Sequence, residues 1–288
     1  MTATFAGLVL PMLMQVGPAP RESVISALPE ELANRPDRPT PTPMPTLDTG
    51  DADETTAQLP AALQDCLQLI RSNPAVARDR AERNLLGATG ERRIIAAHCL
   101  GLARSELGQF TGARDAFLTA RESVVDTDAN YRAMLGLLAG NAALANGDAA
   151  TALADFGPYA FGLPLAGDIA LDSARALVAL GRLDEAASAL AFAREAKAGD
   201  AAPFLYSATL ARRLDDLAAA QMHIEQAVTL DPLDPAIGLE AGVIAILQGR
   251  EDAARKSWQS VLDTAPDGAE AEVAKGYLAQ IAQPAPNP

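Results

Sequence analysis

The chain has 288 residues, of which 49% are apolar but only 4% aromatic, and it carries a formal charge of −14. Alanine and leucine dominate, while runs of β-branched and aromatic residues are scarce, which excludes a sheet-rich fold and points to an all-α chain. So acidic a chain repels phosphate backbones, which argues against nucleic acid as a partner; two cysteines without a CxxC and two distant histidines, His98 and His223, argue against a zinc site.

In chain order, residues 1–22 form an apolar N-terminal segment. Its core, residues 4–16 (TFAGLVLPMLMQV), is thirteen residues long, short of the ~20 apolar residues that cross a bilayer. It fits the apolar region of a secretory signal peptide, although no Lys or Arg precedes it and no clean small-x-small cleavage site follows. The expectation is export, to the periplasm or the outer face of a membrane. A retained anchor, an apolar segment docked on the rest of the chain, and a cytoplasmic protein stand as alternatives, and membrane contact is expected only through this segment if it is uncleaved. Residues 23–56 run through a Pro/Thr-rich stretch (RPDRPTPTPMP) into an acidic one. Proline favours extended polyproline II, and a segment this polar has little to bury, so a disordered linker is expected.

Residues 57–90 read as a helical pair broken at Asn73-Pro74. From residue 91 the chain repeats. The first copy carries Leu100, Gly101, Gly108, Phe110, Ala113, Phe117 and Ala120. Later copies carry Gly140, Gly147, Ala152 and Phe156, then Pro164; Gly181, Leu183, Ala186, Leu190 and Ala193; Leu217, Ala220, Ile224 and Ala227, closed by Pro232; and Gly242, Gly249, Ala254 and Trp258, closed by Pro266. The turn anchor falls at positions 108, 147, 181, 215 and 249, spaced by 39, 34, 34 and 34 residues, and is Gly everywhere except Asp215. Each copy reads as two helices joined by a tight turn, with Gly taking up the left-handed backbone there. Small residues let the helices approach, and the bulky residue (Phe117, Phe156, Leu190, Ile224, Trp258) fills the gap between repeats. One pair cannot bury its apolar flank alone; stacked pairs can. Residues 269–283 read as a terminal capping helix and 284–288 as a disordered tail.

The pattern over residues 91–268 resembles the tetratricopeptide repeat (TPR) family, in a bacterial form. The second copy departs from it, with Ala149 where a large residue is usual and Tyr159 where Ala is usual. The resemblance implies a TPR-type right-handed helical solenoid of about five helix-turn-helix repeats between terminal caps. It also implies a concave groove, lined by the first helix of each pair, that holds a protein or peptide partner. The positions it assigns to that groove carry His98, Leu102, Met134, Leu137, Asn141, Arg175, Tyr206, Thr209 and Arg213, together with Leu171, Leu239 and Val243. The Lys and Asn set with which some members clamp a terminal carboxylate is not matched, since His98 and Leu102 occupy two of those places.

No catalytic or cofactor constellation is present: the chain has no GxSxG, Walker loop, HExxH or GxGxxG. Asp215-Asp216 and Asp231/Asp234 fall at turns and helix starts, where Asp caps backbone donors. The reading is therefore a non-enzymatic interaction scaffold without cofactors, its partner unidentified. An oligomeric envelope component and a non-catalytic accessory subunit of an envelope enzyme are the alternatives. Cys66 and Cys99 lie 33 residues apart, close to one repeat, so a disulfide stapling the N-terminal pair and two buried thiols are both compatible with the sequence. Intact-mass measurement after alkylation, with and without reductant, separates them: a bridged chain is alkylated only after reduction, and two free thiols in the exported protein rule the bridge out.

Overall fold

A computed structural model describes residues 61–125, 128–157 and 162–282. The expected signal segment, linker and tail, and Tyr159, lie outside the described residues. The described residues form helices without a strand. Two compact units divide the chain at residue 231. The described part of the first holds α1 (Ala61–Ser72), α2 (Pro74–Leu85), α3 (Gly90–Glu106), α4 (Phe110–Ser123), α5 (Ala129–Ala145), α6 (Ala149–Phe156), α7 (Ala166–Ala179), α8 (Leu183–Ala196), α9 (Ala201–Arg213) and α10 (Leu217–Leu230). The second holds α11 (Pro235–Leu247), α12 (Glu251–Thr264) and α13 (Ala269–Ala282).

Within each unit every helix packs on the next, and α1 also reaches α3, α5 reaches α7, and α11 reaches α13. The turns that fold each pair back are alike. Gly108, Gly147, Gly181 and Gly249 have φ between 68° and 80°, and Asp215 is the one non-glycine residue in this region among those described, at 61°. After each, the next backbone N–H reaches back to close the preceding helix: Gln109 to Arg104, Asp148 to Ala143, Arg182 to Leu177, Asp216 to Ala211 and Arg250 to Ala245, at 2.8–2.9 Å. This is the Schellman closure, which needs a left-handed residue at its centre. Several helices start on a side-chain cap: Asn73, Asp128, Asp148, Asp200, Asp216 and Asp234 each accept a backbone N–H of the first turn. Asp231 instead closes α10, its N–H donating to the carbonyl of Ala227.

The core is a series of matched contacts inside the pairs. The ring of Phe117 lies over Gly101 of the same pair, so closely that a Cβ there would stand 2.4 Å from the ring. Phe156 lies over Gly140 and Trp258 over Gly242 in the same way, at 2.2 and 2.1 Å. Where the equivalent position is Ala174 or Ala208, the bulky partner is the slimmer Leu190 or Ile224. The expectation that these bulky residues fill the space between repeats is thus only half of their role. Phe117 does share a cluster with Leu135 and Ala139 of the following pair, but its ring is seated in its own. Trp258, buried with 2% exposure, donates its indole N–H to the carbonyl of Leu239 at 3.2 Å, so no polar atom is stranded.

The second pair departs from the expected pattern. Its α6 has only 8 residues and ends at Gly157, whose φ is 69°, rather than at Pro164. The early stop is held from α4. Arg114 Nε donates to the buried Asp155 carboxylate at 2.5 Å, and Arg121 Nη1 donates to the Asp155 carbonyl at 3.1 Å.

Cys66 on α1 and Cys99 on α3 form a disulfide, with Cα atoms 6.0 Å apart. The bridge sits in a cluster with Leu63, Ile70, Ala77, Ala81 and Leu100.

Truncating the ring by Phe117→Ala should lower unfolding free energy by about 3–5 kcal/mol. Gly101→Ala should also destabilise: overpacking costs about 1–3 kcal/mol, of which about 0.5–1 is offset by the better helix propensity of alanine. Urea titration of both variants checks this, and unchanged midpoints would contradict the seating of the ring.

Candidate peptide-binding face

The residues expected to line a groove come from α3, α5, α7 and α9, the first helices of successive pairs in the first unit, and, for Leu239 and Val243, from α11 of the second. The structure treats them unequally. His98 is not on an open surface: it is 4% exposed, stands edge-on to Phe117 with ring centroids 6.0 Å apart, and pairs through Nδ1 with the Tyr131 hydroxyl at 2.9 Å. Its role is to link α3 to α5 in the core. Leu102 and Leu137 are half-buried and pack against core clusters. Met134 is half-buried, and Leu171 is buried in the cluster around Leu190. Leu239 and Val243 belong to the second unit, where they pack around Trp258.

Of the remaining five, four converge. Arg175, Tyr206, Thr209 and Arg213 line one pocket of about 260 Å³, whose other walls are Ala174, Val178, Leu190 and Leu210. Sequence spacing explains the meeting: α7 and α9 are the same helix of consecutive pairs, and the i, i+3, i+7 series on α9 sets Tyr206, Thr209 and Arg213 on one stripe facing Arg175. Arg175, Tyr206 and Arg213 are exposed, and the floor beneath them is aliphatic.

A polar line connects this pocket to α5. Asn141 Nδ2 donates to Asp172 Oδ2 at 2.8 Å, and Arg175 Nη1 donates to Asp172 Oδ1 at 2.8 Å. The buried Asn141 Oδ1 has no hydrogen-bond partner among the described residues. Asp172 and Tyr131 were missed by the sequence reading, although each lies about one repeat from its partner, 31 residues from Asn141 and 33 from His98. That spacing was the available signal.

Burial pushes the His98 imidazole down to about 4, and burial also lowers His223. A depressed histidine is neutral in the folded chain and takes up a proton more readily once unfolded. Its stabilising contribution is therefore complete above the unfolded value of about 6.5 and is lost as pH falls towards the folded value.

A comparison with protein families and one with curated proteins both return no match. Solved structures do match. PilW, described as a widely conserved type IV pilus biogenesis factor, is 16% identical with a TM-score of 0.61, covering 77% of this chain and 97% of its own. Pseudomonas aeruginosa pilF is 12% identical at 0.57, covering 75% and 96%. A thermophilic TPR protein of Thermus thermophilus is 20% identical at 0.54, covering 65% and 99%.

Denaturant titration at two pH values tests the buried histidine. Between pH 6.5 and 4 the chain should lose about 3 kcal/mol on account of His98, and His98→Leu should lose correspondingly less over the same interval; an identical loss in the variant would contradict the assignment. Helical pairs on a common turn, a small residue seated under a bulky one in each, and a likeness to these structures over most of their length make the fold that of the tetratricopeptide repeat.

Proposed function

We propose that this chain is a non-catalytic scaffold that holds a protein or peptide partner on the face carrying Asn141, Arg175, Tyr206, Thr209 and Arg213. The observation that supports this most is the pocket between α7 and α9. There, polar and aromatic side chains stand exposed around an aliphatic floor, the composition of a recognition surface rather than of a packing seam. TPR-fold neighbours support interaction as the general role. In this reading α1 and α2 cap the start of the first unit, and within the second unit α13 covers the Trp258 cluster with its Ala274, Tyr277 and Leu278.

The proposal includes export to the cell envelope. The disulfide between Cys66 and Cys99 supports it, because such bridges persist in oxidising compartments. One fold neighbour, PilW, agrees with it by its description as a type IV pilus biogenesis factor. No helix among the described residues is long and apolar enough to cross a membrane.

Site-specific photocrosslinking in the native cell tests the face. A photoreactive residue at position 206 should give a discrete adduct, and one at the exposed Ser188 on α8 should not. Adducts of equal yield at both positions, or none at 206, would overturn the proposal.

A further inference from the structure

Resting on that reading, we infer that the pocket between α7 and α9 selects the partner segment, and that its occupant is an aliphatic side chain next to an aspartate or glutamate. Two features of the pocket lead there. Its floor, made by Ala174, Val178, Leu190 and Leu210, offers only aliphatic contact, and the ring of Tyr206, 37% exposed, extends that apolar wall to the rim. An aliphatic side chain gains by entering such a site, since its apolar surface leaves water.

The rim carries charge of the opposite sign to the rest of the molecule. Arg175 is balanced by Asp172 at 2.8 Å. Arg213 is exposed and has no acceptor among the described residues. One uncompensated guanidinium therefore stands over an apolar pocket in a chain whose formal charge is −14. A guanidinium presents paired N–H donors that fit a carboxylate, and Thr209 places a hydroxyl on the same rim. A cationic or neutral segment would leave that charge unanswered, and a wholly acidic one would meet the net negative charge of the chain.

The acid is assigned to a side chain within a continuing segment rather than to a chain terminus. Asn141, one pair back, carries the polar line onward from Asp172 towards α5. A segment that runs on from the pocket passes over the Asp172–Asn141 pair, whereas a terminus ending at the pocket does not.

The test uses the full chain with its disulfide intact. A library of random linear peptides is selected against it, and the enriched sequences are remade and titrated by calorimetry. Peptides with an aliphatic residue beside Asp or Glu should dominate. Arg213→Gln should weaken them by about tenfold or more, the scale of one charge-assisted hydrogen bond. Changing the peptide acid to its amide should weaken binding to the native chain equally and add little to Arg213→Gln, while Arg213→Lys keeps part of the affinity. Circular dichroism confirms that the variants remain helical. Enriched peptides without an acid, or indifferent to Arg213→Gln, overturn the inference; the scaffold reading survives that result if Asn141→Ala or Tyr206→Ala still weakens binding. Failure to enrich any peptide, or binding insensitive to every variant of the face, overturns both. Enrichment that occurs only after deletion of residues 46–56 assigns the pocket to the chain's own acidic stretch and overturns the occupant in trans.

Discussion

The contact on which the described structure depends is the seating of one bulky side chain over one small residue inside each of the five pairs from α3/α4 to α11/α12. Where the small residue is Gly (Gly101, Gly140, Gly242) the partner is aromatic; where it is Ala (Ala174, Ala208) the partner is Leu or Ile. A Cβ added at any of the three glycines would stand within 2.1–2.4 Å of the ring above it, closer than atoms approach. The volume of the pair is thus conserved while its distribution between the two helices changes, as close packing demands. Because this contact sets how near the helices lie, it also sets where α7 and α9 place Arg175, Tyr206 and Arg213.

Polar side chains add the links between pairs. His98 joins Tyr131 from α3 to α5, Asn141 joins Asp172 from α5 to α7, and Lys197 ties Asp168 at the start of α7 to Asp200 before α9 at 2.5 and 2.7 Å. These bonds cost little in chain entropy, since helix packing already holds the groups, and that of His98 satisfies an atom that burial would otherwise strand. The disulfide does the same covalently for α1, whose contacts are with α2 and α3.

What could be read from the sequence divides along the range of the interaction. The turns were legible because a left-handed backbone is a local demand, which Gly meets freely and Asp215 meets at some strain. The helical pairs were legible for the same reason, and so was the nearness of Cys66 to Cys99, which follows from their separation by about one repeat. The fate of His98 was not legible. Its position on the helix matched the expected groove, but Phe117 and Tyr131 close over it, and nothing within α3 announces them. The end of α6 was misplaced because Pro164 is a strong local signal, whereas the clasp of Arg114 and Arg121 on Asp155 is made from another helix. Four of the twelve expected face residues meet at one pocket because they need only that α7 and α9 be the same helix of consecutive pairs.

The most direct test of the seating is a double-mutant cycle on Gly101 and Phe117. Converting this pair to the Ala-and-Leu form found at Ala174 and Leu190 should leave Gly101→Ala/Phe117→Leu more stable than the sum of the single changes predicts, with a coupling above about 1 kcal/mol. Strict additivity, within about 0.5 kcal/mol, would contradict the account, because residues that share one space must compensate when both change.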